Sequence, residues 1–83
     1  MAKLADEVRE VIYDATSKTL GVDRDTLTDD TEVIADLGAK SVNLIHIINA
    51  LEDEFEYQVD FMPFRRQKKI SDMIAYVVDL IED

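Results

Sequence analysis

Apolar side chains recur at helical spacing through most of this chain, and the places where that spacing fails divide it into elements. Leu4, Val8, Val11, Ile12 and Ala15 follow an i, i+4, i+7 pattern, with Asp6, Glu7, Arg9, Glu10 and Asp14 mostly on the opposite side. This predicts an amphipathic first helix. It should end near Leu20, where Gly21 can take the left-handed conformation that closes a helix. From residue 21 to residue 40 the pattern weakens, and Asp, Thr and Gly punctuate GVDRDTLTDDTEVIADLGAK. A long structured loop is predicted there, pinned to the core by Leu27, Val33, Ile34 and Leu37, and connections of such length are usually functional.

The helical period returns at Ser41. Leu44, Ile48, Leu51 and Phe55 repeat along SVNLIHIINALEDEF, and Ile45 and Ile47 are expected to widen the buried stripe. Pro63 suits the first turn of a short third helix, because proline has no backbone N–H to leave unpaired. That helix is expected to carry the cluster Arg65, Arg66, Lys68 and Lys69. A final helix is predicted from about Ser71, with Ile70, Ile74, Val77 and Ile81 in register and Met73 and Leu80 beside them. The whole reads as all-α: three longer helices, one short helix, and a long loop after the first.

Composition narrows the class. At 83 residues, 47% hydrophobic and 34% charged, the chain is expected to form one domain spanning 1–83, since chains of this size bury only about 60 to 65% of their unfolded surface and cannot divide that core. With no cysteine, neither disulfides nor thiolate metal ligands are available, so packed helices must supply the stability. No apolar run approaches the roughly 20 residues that cross a bilayer, and MAKLADEVRE lacks the basic start and apolar stretch of a signal peptide. A cytoplasmic monomer is expected. Nineteen acidic against nine basic residues give a net charge of −10, which argues against nucleic acid as a partner and favours basic proteins. Against that background the basic 65–69 segment provides a second, oppositely charged surface.

Ser41 opens the second helix, and its ordinary role would be an N-cap that accepts a bond from a first-turn N–H. The sequence around it points further. Leu20, Gly21 and Val22 after the first helix, then Asp36, Leu37, Gly38, Ala39, Lys40, Ser41 and Val42, then Ala50, Leu51, Glu52, Asp53, Glu54 and Phe55 together resemble the acyl carrier protein family. The resemblance covers nearly the whole chain. It rests on a DLGA-x-S motif followed nine residues later by ALE-x-EF.

That resemblance implies a four-helix bundle of acyl-carrier type that is not itself an enzyme. It implies that Ser41 receives 4′-phosphopantetheine from coenzyme A through a phosphodiester and that acyl cargo rides as a thioester on the terminal thiol. The implied partners are a phosphopantetheinyl transferase and acyl-transfer or synthase enzymes of fatty-acid, lipid or polyketide-type biosynthesis. A peptidyl or aryl carrier is a related alternative, and an unmodified helical adaptor is the alternative from a different class. Physically, the placement is sound, because a helix N-terminus offers unpaired N–H groups and positive dipole character to an anion. In the supporting loop, Leu37 is expected to anchor the chain and Gly38 to permit a backbone conformation or a close approach. Asp36 is open to two roles, an exposed contact for the modifying enzyme or a local turn cap.

The chain departs from its family at the positions that usually meet partners. Acidic residues commonly stand immediately before the serine and two after it, whereas Lys40 and Asn43 stand here, with Glu52 and Asp53 retaining acidity at the far end of the helix. FMPFRRQKKI is basic where many carriers are acidic. Lys40, Asn43, Glu52, Asp53, Arg65, Arg66, Lys68 and Lys69 are therefore the partner-binding candidates. For the basic four the ordinary alternative is a solvated face or pairing with the protein's own carboxylates, each exposed pair contributing about 0 to 1 kcal/mol.

Other candidates are weaker. His46 is the only histidine, and five residues of helix turn it about 140° from Ser41, so a helix-surface histidine is expected rather than a Ser-His pair. DRDTLTDDTE lacks the glycine and glutamate of a calcium loop, and no metal site is expected. Phe61, Met62 and Phe64 fit either ordinary packing or the border of an opening for cargo.

Overall fold

The computed structural model describes residues 3–82; the domain limits expected at 1 and 83 fall outside it. Four helices form: α1 (Lys3–Leu20), α2 (Ser41–Phe55), α3 (Phe61–Arg66) and α4 (Ile70–Glu82), three long and one short. A 3-10 turn at Arg24–Thr26 lies in the long loop, and an isolated antiparallel bridge joins Glu32 to Lys69. The all-α bundle of acyl-carrier type expected from the sequence is the architecture observed.

One hydrophobic core holds the helices together. It takes Val8 and Ile12 from α1, Leu44, Ile47, Ile48 and Leu51 from α2, Phe64 from α3, and Ile70, Met73, Ile74 and Val77 from α4. α1 packs against both α2 and α4, and α3 packs on α2. Phe64 is fully buried, and by the usual cost of deleting a buried phenylalanine it fixes the short α3 with about 3 to 5 kcal/mol.

Helix ends follow local chemistry. Gly21, at φ 67°, turns the chain so that its own N–H and that of Val22 both donate to the Ser17 carbonyl at 2.9 and 3.2 Å, closing α1. Glu56 ends α2 in the same left-handed region at φ 59°, its N–H donating to the Glu52 carbonyl at 2.8 Å. Pro63 lies in the first turn of α3, as its missing donor allows.

Three expectations are corrected. Ile45 is 45% exposed: the buried side chains of α2 span only about 100° of arc, and position 45 falls a further 60° or so past Ile48. Ile34 is 36% exposed while its neighbour Val33 is fully buried, because adjacent residues in a tight turn point apart. Finally, α3 carries only Arg65 and Arg66 of the basic cluster. Gln67 adopts an extended backbone and closes the helix, which leaves Lys68 and Lys69 in the connector to α4.

Candidate functional site

The chain reaches α2 through a turn built by Asp36. The Glu32 N–H donates to Asp36 Oδ2 at 3.0 Å, and the Asp36 N–H returns a bond to the Glu32 carbonyl at 2.7 Å. Of its two expected roles Asp36 thus performs the turn cap, and it does so while remaining exposed. Gly38 follows at φ 70°, its N–H donating to Ile34 at 3.0 Å. A methyl group on Gly38 would meet nothing, so the glycine serves backbone conformation and not close approach. Half-buried Leu37 packs against the core, and buried Ala39 bonds back to the Val33 carbonyl at 3.2 Å.

Lys40 occupies the N-cap position of α2, with extended backbone, and Ser41 is the first helical residue. Ser41 therefore is not the cap. An ammonium side chain has no acceptor with which to cap a helix, and the first-turn N–H groups of Ser41, Val42 and Asn43 meet no acceptor among the described residues. The first helical bond is Leu44 N–H to the Lys40 carbonyl at 3.1 Å. Asn43 instead reaches backward: its Oδ1 accepts from the Lys40 N–H at 2.8 Å, and its Nδ2 donates to Thr19 Oγ1 at 3.3 Å, tying the start of α2 to the end of α1. The outcome is an exposed hydroxyl beside three free N–H donors and one cationic side chain. Such an end stabilises an anion attached to Ser41 through its dipole and its donors, and it fits a phosphodiester.

The remaining candidates are dispersed. At the far end of α2, Asp53 is exposed, but Glu52 Oε2 accepts from the Val59 N–H at 2.8 Å and so organises the connection to α3. Arg65, Arg66 and Lys68 are exposed and form no ion pair among the described residues, whereas Lys69 Nζ lies 4.0 Å from Asp30. Of the two ordinary alternatives for this cluster, pairing with the protein's own carboxylates thus reaches one of the four, and the other three stand as a solvated face. His46 is exposed on α2 above a shallow groove shared with Ala15, Lys18, Thr19 and Ala50. Phe64 belongs to the core, Phe61 is partly buried against it, and Met62 is 52% exposed. Among the described residues no three His, Asp or Glu side chains converge as metal ligands.

Asp29 was not singled out by the sequence pattern, yet it holds the loop in place. Arg9 grips its carboxylate with two bonds, Nε to Oδ1 at 3.1 Å and Nη2 to Oδ2 at 2.9 Å, and the Tyr13 hydroxyl donates to Oδ1 at 2.7 Å. The Arg9 bonds, then the Tyr13 bond, hold the Asp29 carboxyl below the usual carboxylate range. Burial first, and the bond to Asp29 second, push the Tyr13 hydroxyl up to about 12. The available signal was Arg9 and Tyr13 one turn apart on α1, which together present a cation and a hydroxyl to a single carboxylate.

Comparison with known proteins adds an independent line. The family model described as "Phosphopantetheine attachment site" matches residues 10–77. An acyl carrier protein of Akkermansia muciniphila is 31% identical over 89% of this chain and 88% of its own length. Acyl carrier proteins of Campylobacter lari and Thermotoga maritima are each 29% identical, over 90% and 87% of this chain and 92% and 89% of theirs. No helix among the described residues is long and apolar enough to cross a membrane.

Proposed function

This chain belongs to the family of phosphopantetheine attachment domains, the acyl carriers, and from that premise we propose that Ser41 is its attachment residue, in a single carrier domain spanning 1–83. The observation that carries the proposal is the exposed Ser41 hydroxyl standing beside unpaired N–H groups at the start of α2. The family's cofactor, 4′-phosphopantetheine, supplies when bound a terminal thiol that holds acyl groups as thioesters, and this chain has no cysteine of its own to offer one.

The protein's part is to present and to hold. Ser41 Oγ gains the bond to phosphorus as its proton leaves, while the pyrophosphate P–O bond of coenzyme A breaks and adenosine 3′,5′-bisphosphate departs as the leaving group. No described side chain hydrogen-bonds to that oxygen, so the base belongs to the transferase. Once the diester is formed, the N–H groups of residues 41–43, the helix dipole and the Lys40 ammonium all favour its negative charge. Acid–base chemistry on the cargo then falls to partner enzymes, and the chain itself is a carrier and not a catalyst. We place it in the cytoplasm as a monomer, serving fatty-acid, lipid or polyketide-type synthesis. The net charge of −10 and the ALEDEF segment favour an acyl over a peptidyl or aryl carrier.

Incubation with coenzyme A and a broad-specificity phosphopantetheinyl transferase, followed by intact mass measurement, tests the proposal. The expected product carries one phosphopantetheine, and Ser41→Ala carries none. A chain that folds but gains no mass would be the unmodified adaptor, and a Ser41→Ala variant that still loads would place the arm elsewhere.

A further inference from the structure

Arg65, Arg66 and Lys68 carry charge that no contact of the fold uses. Arg9, Arg24 and Lys69 find carboxylates of this acidic chain, but these three form no ion pair among the described residues. They line one wall of a groove of about 460 Å³, opposite Glu32, Ile34 and Ala35. Glu32 is the single acid of that lining, which leaves the groove with an excess of two positive charges in a protein of net charge −10.

Both walls are built. The loop side is fixed by the reciprocal Glu32–Asp36 bonds, by the Glu32–Lys69 bridge, and by the Ile70 N–H donating to the Thr31 carbonyl at 2.9 Å. The α3 side is anchored by fully buried Phe64. It is closed by Gln67, whose N–H donates to Phe64 at 3.0 Å and whose Nε2 donates to the Pro63 carbonyl at 3.0 Å. Between them the fold turns Ile34 outward at 36% exposure while Val33 is buried. A groove with an exposed aliphatic side chain on its loop wall and cations on the other is complementary to a chain segment that is itself acidic and partly aliphatic.

We infer that this groove docks an acidic segment of a partner protein, whose carboxylates meet Arg65, Arg66 and Lys68 and whose aliphatic side chain covers Ile34. A bilayer surface is flat and would meet convex features, not a groove. Nucleic acid and a second copy of this chain both face repulsion from the overall charge. A bare anion makes no use of Ile34. The inference goes beyond the carrier reading and does not depend on whether Ser41 is loaded.

Amide spectra of the full ¹⁵N-labelled chain, titrated with a short acetylated peptide alternating glutamate and leucine, provide the test. The expected shifts concentrate at residues 32–35 and 65–68. The combined variant Arg65→Glu, Arg66→Glu, Lys68→Glu, shown folded by its amide spectrum, should bind at least about 10-fold more weakly. Ile34→Ser should weaken binding about 3-fold, as should replacing leucine by serine in the peptide. Should the triple variant unfold, Arg65→Gln with Lys68→Gln serves, with a loss of several-fold expected. Four results would overturn the inference: shifts centred elsewhere, affinity indifferent to charge reversal, peptide-induced dimers, or phosphatidylglycerol vesicles or inorganic phosphate binding these residues while the peptide does not. Loading of Ser41, measured on the same variants, reports separately on the carrier reading.

Discussion

The long loop packs on the N-terminus of α4 and leads into that of α2, and the fold treats the two ends in opposite ways. At α4 the loop supplies acceptors. The N–H of Ile70 donates to Thr31 and that of Ser71 to Asp29, each at 2.9 Å, while the Lys69 N–H reaches Asp72 Oδ2 at 3.3 Å. Arg9 and Tyr13 then lock Asp29 itself. At α2 the loop delivers Lys40, whose side chain cannot accept, and the first three N–H groups are left to solvent. Satisfying one end makes a joint. Leaving the other unsatisfied costs cap stability and keeps an anion site open.

The largest expected effect separates the two ends outright. Ser41→Ala should lose all loading by the transferase while its thermal midpoint stays close to that of the parent, because the hydroxyl makes no bond within the fold. Asp29→Ala should do the reverse, keeping loading and losing about 1 to 2 kcal/mol, a value set low because the carboxylate is 40% exposed. Such a loss corresponds to several degrees in a thermal melt. Its pH dependence follows from the direction of the shift. The Asp29 carboxyl is held below the usual carboxylate range in the folded state, so its contribution is present above that range and is lost as pH falls through the lowered value. Tyr13, raised from 10.0 to about 12, contributes fully below pH 10 and loses its contribution as pH rises through 12. Melts of parent and Asp29→Asn should therefore converge in acid.

Two smaller changes sharpen the contrast at α2. Gly38→Ala should cost about 1 kcal/mol through backbone conformation alone, since the space beside it is free. Chemical denaturation should show a lower midpoint at unchanged slope. Lys40→Asp gives the helix the acceptor it lacks and should stabilise the unmodified protein by about 0.5 to 1 kcal/mol. A destabilised Lys40→Asp variant would mean that the free donors are already satisfied.

Much of the frame was legible because it is local. The period of apolar residues locates α1 and α2, and Gly21 marks the end of α1 by its own backbone freedom. α4 begins one residue before the expected Ser71, where the loop carbonyls take over capping. What escaped depends on distant partners. Asp29 lies in a run of acids and threonines that looks alike along its length, and only the approach of α1, sixteen to twenty residues earlier in the chain, distinguishes it. Ile34 and Ile45 were expected inside because hydrophobicity does not reveal which residue of a turn or which edge of a stripe points outward. At Ser41 the motif drew attention to the residue, but its release from capping duty follows from the backbone at Lys40.

The most direct test is site localisation on the protein purified from its native cells: proteolysis, then tandem mass spectrometry of the fragment containing residue 41. Phosphopantetheine is expected on Ser41 and on no other hydroxyl. An arm found on Ser17 or Ser71, or a pool carrying Ser41 unmodified throughout, would contradict it.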